Sequence, residues 1–236
     1  MESTIDNVHR ELKNNIDLKY KNGAINYFKE PIKVYGVRAP IIRQIAGKYF
    51  KKVKFLSKKD FFTLCEKMLK SDYHEEAIIV FIWTEKRVKD FNASDFKIFE
   101  KWLKTYVNNW AKCDIFCTHT INYFVQNYPE AIPNIKKWTS SKNRWVRRAA
   151  AVSFIGPRGF PKKNHLPDIF WIATKLLKDK DDLVQKGYGW MLKCAAENYQ
   201  KEVFNFVLKN KRVMPRTALR YAIEKMPDNL KLKAML

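Results

Sequence analysis

Apolar side chains recur every three or four positions along nearly the whole chain, and strand-like alternation is almost absent. The stretch "APIIRQIAGKYFKKV" predicts an amphipathic helix over Ala39–Val53, with Pro40 suited to its first turn. The stretch "SKKDFFTLCEKML" predicts another over 57–69, with Ser57 as its N-cap. Further helices are predicted at 73–88, 93–107, 110–127, 132–140, 144–155, 168–177, 183–198, 202–209 and 215–225.

A weak internal repeat links three of these helices. The segments "YHEEAIIV" (73–80), "WVRRAAAV" (145–152) and "LVQKGYGW" (183–190) each follow a short polar turn and open with a bulky residue. Their separations correspond to a period just under ~40 residues, close to that of HEAT and armadillo repeats. Aligned in this way, Glu76, Arg148 and Lys186 are equivalent, and the two cations project from neighbouring repeats. We therefore predict an all-α solenoid of HEAT/ARM-like repeats forming one domain over 1–236; the alternative is a compact, irregular helical bundle.

Charge indicates the class of partner. The formal net charge is +22, from 46 Lys and Arg against 24 Asp and Glu. Such an excess favours a polyanionic partner, nucleic acid first and an anionic membrane surface second. No Asp or Glu occurs over 131–167, where a solvated basic loop is the alternative to a polyanion-binding surface. The cations of that stretch are Lys136, Lys137, Lys142, Arg144, Arg147, Arg148, Arg158, Lys162 and Lys163.

Cysteine and histidine positions argue against a metal or redox centre. Cys65, Cys113, Cys117 and Cys194 match neither a zinc pattern nor a C-x-x-C motif. The histidines His9, His74 and His165 form no visible ligand set, so we expect no metal and no cofactor. The polar N-terminus and the lack of a long apolar run predict a cytoplasmic protein without a membrane span.

One carboxylate stands in an apolar helical segment, "NWAKCDIFCTHT". Trp110 and Asp114 are at i and i+4, on one helix face. Trp190 belongs to "QKGYGWML", where Gly187 and Gly189 each cost a helix up to ~1 kcal/mol relative to alanine, which indicates close approach of another group. The simpler interpretations are an Asp114 that caps a helix or pairs with Lys112 or Arg148, and tryptophans that pack between repeats.

Five segments, taken in order and spacing, resemble the AlkD-type alkylpurine DNA glycosylases, a family of HEAT-like DNA alkylation repair enzymes. They are "YFK" (27–29), "YGVRAPIIRQI" (35–45), "NWAKCD" (109–114), "WVRRAAA" (145–151) and "QKGYGWML" (185–192). The resemblance implies a C-shaped solenoid whose concave basic face cradles duplex DNA. It implies that Asp114 is the catalytic aspartate and that Trp110 and Trp190 flank the lesion nucleotide. It also implies that Arg148 engages the DNA backbone and that Tyr27 lies at the same cleft.

The chemistry of the lesion explains how one carboxylate suffices. A purine alkylated at N3 or N7 is cationic and leaves as a neutral base without a general acid, unlike the leaving groups of most glycosidases. Asp114 would stabilise the oxocarbenium-like sugar, and the indole faces would attract the cation. The proposed DNA contacts are Arg148, Arg147, Lys186, Tyr27, Arg144, Lys162 and Lys163.

The sequence thus predicts a monomeric glycosylase that excises N3- or N7-alkylated purines from double-stranded DNA, cytoplasmic and nucleoid-associated when bound. One alternative is a non-catalytic HEAT-repeat module that binds damaged or bent DNA, with salt-sensitive binding and no base release. Another is a HEAT-type scaffold for an acidic protein partner, which the charge of +22 disfavours.

Overall fold

The computed structural model describes residues 2–28, 30–156 and 165–236. It divides into two compact units, Met1–Ile115 and Phe116–Leu236. The regular elements of the described ranges are all helical, and Lys33 and Tyr73 form an isolated parallel bridge. The predicted all-α class is therefore confirmed. No helix in these ranges is both long and apolar enough to cross a membrane.

The first unit stacks alternate helices. Helix α3 packs against both α1 and α5, and α5 also packs against α4 and α7. The predicted bounds of α3 are confirmed, and Ser57 caps α4 because its hydroxyl accepts the Asp60 amide at 3.1 Å. Two 3₁₀ turns precede α6, at Val88–Asp90 and Ala93–Asp95. The α-helices are α1 (Glu2–Asn14), α2 (Leu18–Tyr27), α3 (Ala39–Val53), α4 (Lys58–Leu69), α5 (His74–Lys86), α6 (Phe96–Tyr106) and α7 (Trp110–Ile115).

The second unit repeats this alternate stacking, since α12 packs against both α10 and α14 while α11 and α13 lie beside it. It opens with a π-helical segment, Phe116–Ile121, so the helix predicted over 110–127 is interrupted by a change of hydrogen-bond register. Short 3₁₀ turns occur at Pro129–Ala131 and Trp138–Ser140. The α-helices are α8 (Asn122–Asn127), α9 (Ile132–Lys137), α10 (Arg144–Val152), α11 (Leu166–Leu176), α12 (Asp182–Ala196), α13 (Gln200–Asn210), α14 (Arg216–Ile223) and α15 (Asp228–Met235).

Helix caps test the repeat alignment. The Asn143 side chain accepts the Trp145 amide at 2.9 Å, and Asp181 accepts the Leu183 amide at 3.0 Å. Trp145 and Leu183 therefore occupy the same position, the second residue of α10 and of α12. Tyr73 does not, because it is itself the N-cap of α5. Consequently Arg148 and Lys186 are equivalent, as predicted, but Glu76 is displaced from them by two positions.

A buried carboxylate organises the chain before α3. Glu75, in the first turn of α5, accepts the backbone amides of Tyr35, Gly36 and Val37 at 3.0, 2.7 and 3.1 Å. The next residue, Glu76, accepts the Tyr35 hydroxyl at 2.8 Å. Gly36 has φ +95°, a left-handed conformation that disfavours any side chain. The motif "YGVR" is thus a tight turn fixed by two glutamates about 40 residues further along the chain.

Both glycines of α12 permit close approach, as their position inside a helix predicted. A Cβ on Gly189 would lie 2.7 Å from the Tyr221 Cβ and 2.9 Å from the Ala218 carbonyl oxygen, on α14. A Cβ on Gly187 would lie 3.2 Å from the Arg148 Cγ, on α10. The glycines therefore bring the neighbouring helices of the second unit onto opposite sides of α12.

Replacing Gly189 by alanine should destabilise the protein by about 1–3 kcal/mol, since the new methyl group overlaps the α14 backbone. The matched change Gly47→Ala places its Cβ where no atom lies within 4 Å, so it should be neutral or stabilising, by up to about 1 kcal/mol. Urea unfolding of both variants measures the difference. Equal stability of the two would contradict the inferred contact with α14.

Replacing Glu75 by glutamine should cost roughly 2–4 kcal/mol, because the amide retains one acceptor oxygen and turns a donor towards backbone N–H groups. Asp6→Asn, at an exposed position of α1, is the control and should change the free energy of unfolding by only a few tenths of a kcal/mol. Chemical denaturation gives both values, and a Glu75 variant as stable as the control would refute the anchoring role.

Candidate active site

Asp114 and Trp110 share the short helix α7, whose start is fixed by a buried asparagine. The Asn109 side-chain oxygen accepts the Lys112 amide at 2.9 Å, and its carbonyl accepts the Cys113 amide. Asp114 lies at the opposite end of α7, so it is not an N-cap. Both Trp110 and Asp114 are partly exposed. The i, i+4 spacing places them one turn apart on one face, as predicted.

A buried ammonium group attaches α7 to the turn before α5. Lys112 is 2% exposed, and its Nζ lies 2.9 Å from the Asp72 Oδ1. Asn108 donates to the same Asp72 oxygen at 2.9 Å. Burial lowers the pKa of Lys112, while the hydrogen bond and charge of Asp72 act in the opposite direction. The ammonium of Lys112 is thus engaged by Asp72, which leaves little reason to interpret Asp114 as its partner.

Aromatic rings surround Trp110 within the first unit. The Phe28 ring stacks on the indole with centroids 5.5 Å apart, and the Tyr27 ring meets it edge-on at 5.8 Å. The imidazole of His74 lies 5.7 Å from the Phe28 ring. Tyr27 is nevertheless 71% exposed. We call Tyr27, Phe28, His74 and Trp110 the aromatic cluster. Within it Phe28 packs on the Trp110 indole, and Tyr27 remains open to solvent.

The aromatic cluster borders a cleft of about 800 Å³, here called the α2 cleft. Its walls come from α2, the segment before α3, and helices α3, α5 and α7. Trp110, Ala111 and Ile115 contribute the α7 wall. Asp114 belongs to the same short helix, between Ala111 and Ile115 in sequence, but is not among the residues that line the cleft.

His74 is the unusual polar residue of the α2 cleft. Its Nδ1 atom is buried, and no hydrogen-bond partner for it exists among the described residues. Loss of solvent lowers the pKa of His74 to about 4, with a further contribution from the charge of Lys112. The imidazole is therefore neutral at physiological pH and presents an unsatisfied nitrogen.

Trp190 and Arg148 belong to the second unit. Trp190 is partly exposed on α12, and its side chain hydrogen bonds to Cys194, whose pKa burial raises to about 11. Arg148 is buried, and its Nη1 donates to the Leu183 carbonyl oxygen. Lys186 is half-buried, with its Nζ 3.3 Å from the Asp182 carboxylate. Arg148 and Lys186 thus both make contacts with the start of α12.

Three cations of the acid-free stretch form ion pairs with carboxylates in the segment that follows it. Arg144 Nε lies 2.7 Å from Asp181, and Arg147 Nε lies 2.6 Å from Asp179. Lys136 pairs with Asp168 at 2.6 Å. Part of the positive charge of the acid-free stretch is therefore neutralised within the protein itself. Arg158, Lys162 and Lys163 lie outside the described residues.

A family model described as "DNA alkylation repair enzyme" matches residues 8–226. The chain belongs to the DNA alkylation repair enzyme family. It is similar in structure to a predicted DNA alkylation repair enzyme from Enterococcus faecalis, with a TM-score of 0.78 and 14% identity over 91% of this chain and 98% of that one. No curated protein matches it.

It is also similar to the Pseudomonas fluorescens alkylpurine DNA glycosylase AlkC, solved with DNA containing an abasic site analogue. The TM-score is 0.55 and the identity 16%, over 99% of this chain and 66% of that chain. At these identities the two likenesses show a shared fold. Together with the family match, they confirm the predicted relationship to alkylation repair enzymes.

Sequence reasoning missed part of this alkylation repair protein's candidate site. Phe28, His74 and Glu75 line the α2 cleft, and none was assigned a role. Phe28 was visible in "YFK" and His74 in "YHEEA", but neither motif signals a cleft by itself. Their association depends on contacts between residues that are far apart along the chain.

Replacing Arg147 by methionine should lower the free energy of unfolding by roughly 2 kcal/mol, because Asp179, only 8% exposed, loses its partner. The logarithm of DNA affinity falls linearly with the logarithm of salt concentration, and loss of one phosphate contact makes that slope shallower by ~0.9. We expect a much smaller change of slope for the Arg147 variant. Lys142→Met, at an exposed position of the same stretch, is the control for stability. An unchanged stability with a slope reduced by ~0.9 would instead make Arg147 a phosphate ligand.

Proposed function

We propose that this DNA alkylation repair protein is a glycosylase that excises N3- or N7-alkylated purines from duplex DNA. The observation that carries the proposal is that Asp114 is partly exposed and lies one helical turn from Trp110, on a helix whose residues Trp110, Ala111 and Ile115 line an aromatic cleft. Membership of the repair family and the net charge of +22 support a DNA substrate.

In this mechanism the N-glycosidic bond breaks with both electrons going to the base. The positive charge of the alkylated purine is thereby cancelled, and the base leaves neutral. The sugar becomes oxocarbenium-like, and the carboxylate of Asp114 stabilises its developing charge. Water then adds to the anomeric carbon and loses a proton, which leaves an abasic site. Unmodified purines are spared because their departure would require a general acid.

The tryptophans contribute attraction for cations. An indole face stabilises a nearby cation by about 0.5–2 kcal/mol, more when water is excluded. Trp110 is braced for this role by Phe28, which stacks on it, and by Tyr27 at its edge. We assign the corresponding role in the second unit to Trp190. Attraction of this kind favours a cationic lesion or its developing sugar cation over a neutral, unmodified nucleotide.

Phosphate contacts would position the damaged strand without reading its sequence. Among the proposed contacts that the structure describes, Tyr27 is the most accessible, with 71% of its surface exposed. Lys186 and Arg148 remain proposed backbone contacts, although each also binds within the second unit. Arg144 and Arg147 are already ion-paired, so we expect them to act chiefly by holding α12 in place.

Replacing Asp114 by asparagine should slow release of 7-methylguanine from methylated duplex DNA by about 10²–10³-fold, because the neutral amide cannot stabilise the cationic sugar. DNA affinity should be unchanged or higher, since a negative charge near phosphate is removed. Single-turnover base release and equilibrium binding measure the two effects separately.

Asp6→Asn is the matched control for Asp114→Asn, since it removes an exposed carboxylate from the same unit, and it should excise at the wild-type rate. Equal excision by the wild type and Asp114→Asn would rule out the assigned role of Asp114. Salt-sensitive DNA binding by a wild type that releases no base would instead support a non-catalytic module for damaged or bent DNA.

A further inference from the structure

A second run of sequence without carboxylates, 203–223, spans most of α13 and α14 and is called here the α13–α14 stretch. Three cations of the earlier run are ion-paired within the protein. By contrast, no described residue forms an ion pair with any cation of the α13–α14 stretch. These cations are Lys209, Lys211, Arg212, Arg216 and Arg220. The positive charge of this stretch is therefore not neutralised within the part of the chain that the structure describes.

The starts of two neighbouring helices explain this difference. The N-cap and first residue of α12 are Asp181 and Asp182, whereas those of α14 are Pro215 and Arg216. The two aspartates form ion pairs with nearby cations. At α14 no carboxylate takes their place, and Arg216 lies at the positive end of the helix dipole, which is unfavourable for a cation unless an anion binds nearby. The start of α14 thus indicates an anionic ligand.

The repeat places the arginines of α14 on the surface that carries Trp190. The fifth residues of α10, α12 and α14 are Arg148, Lys186 and Arg220, so a cation occupies this position in three successive repeats. Arg216 lies one turn before Arg220, and Trp190 lies one turn after Lys186 on the equivalent face of α12. Because α12 and α14 pack directly against each other, the two faces are continuous.

An ion pair joins these two faces and removes the one acidic charge of the α14 row. Lys193 Nζ, on α12, lies 3.0 Å from the Oε2 atom of Glu224, one turn beyond Arg220. The same ammonium lies 5.5 Å from the centroid of the Tyr221 ring. Glu224 is thus already paired with a cation of α12. The charge that this face of α14 presents to a ligand is that of its two arginines.

The spacing and chemistry of the row fit a phosphate backbone. Both arginines of α14 are exposed, and a guanidinium group offers planar donors that match phosphate oxygens. Packed helices lie ~8–10 Å apart, and a DNA strand advances ~3.4 Å per nucleotide, so one step between helices spans about three nucleotides. A ligand with regularly spaced anions matches such a row better than an acidic protein surface does.

We propose that Arg216 and Arg220 bind backbone phosphates of the undamaged duplex, about three nucleotides beyond those contacted at α12. The inference rests on the proposed function, which brings the lesion to Trp190, and deepens it by adding a binding site for DNA that flanks the lesion. This site holds the duplex and takes no part in bond cleavage. It therefore requires a minimum length of duplex on one side of the lesion.

The first test measures the salt dependence of binding. The probe is a duplex with a central tetrahydrofuran abasic-site analogue, which cannot be hydrolysed, and roughly ten base pairs on each side. Arg216→Gln and Arg220→Gln should each make the logarithmic slope shallower by ~0.9 and weaken binding about eightfold at about 0.1 M salt. The double variant should combine both effects, to ~1.8 in slope and roughly 60-fold in affinity.

Two kinds of control accompany these variants. Lys201→Gln removes an exposed cation from α13, outside the row, and should leave both slope and affinity as in the wild type. Arg216→Lys and Arg220→Lys keep the charge, so they should retain the wild-type slope. A double glutamine variant with the same slope as Lys201→Gln overturns the proposed site.

The second test locates the contact along the DNA. Shortening the duplex to about two base pairs on one side of the abasic analogue removes the phosphates assigned to α14. On one of the two possible shortened duplexes, the wild type and the double glutamine variant should bind equally, whereas on the other their difference should persist. A difference that persists on both shortened duplexes overturns the placement of the site.

Base release from methylated duplex DNA separates this proposal from the proposed function. A wild type that releases no base, together with a shallower slope in the double variant, overturns the glycosylase and leaves the phosphate site. A wild type that releases base, together with an unchanged slope in the double variant, overturns the phosphate site and leaves the glycosylase.

Discussion

The Glu75 carboxylate determines much of the first unit because it satisfies three consecutive backbone amides. The turn at Tyr35–Val37 has no regular partner for those amides, and buried N–H groups without acceptors are rarely tolerated. Once the turn is fixed, Gly36 accepts the Asp17 amide through its carbonyl at 3.0 Å. Asp17 in turn starts α2, and α2 brings Phe28 and Tyr27 to Trp110. The Glu75 carboxylate of α5 thereby positions aromatic rings at the end of α2, a helix much earlier in the sequence.

The basic stretch illustrates that charge segregation along a sequence does not imply segregation in space. Asp181 both caps α12 and accepts an ion pair from Arg144, and Asp179, two residues earlier in the chain, accepts an ion pair from Arg147. Acidic residues at a helix N-terminus are also favoured by the helix dipole. The net charge of +22 still favours a polyanionic partner. The cations that attract it would be others than Arg144 and Arg147.

The helices could be predicted because periodicity and capping depend on residues close together in sequence. The candidate site was harder to predict because it depends on contacts between residues far apart in sequence. The bounds of α3 and the Ser57 cap follow from periodicity and capping within a few residues. Gly187 and Gly189 predicted the close approach of another group to α12, since glycine is costly inside a helix. The start of α5 was misaligned with the repeat because His74 donates its amide to Lys33, about 40 residues away. The same separation hides the association of His74 with Phe28.

Four of the basic side chains around the candidate site are of three kinds: one is neutral, one is paired with a carboxylate, and two are exposed. A cationic base bound as proposed beside Trp110 would be repelled by a positive charge on a neighbouring side chain, and two basic residues, His74 and Lys112, lie in this part of the first unit. Burial keeps His74 neutral, with a pKa of about 4, and the ammonium of Lys112 is paired with Asp72. The exposed cations Lys19 and Arg43 also line the cleft. With His74 neutral and Lys112 paired, neither of these two side chains adds net positive charge beside Trp110, so the cationic lesion of the proposed function would meet less repulsion there.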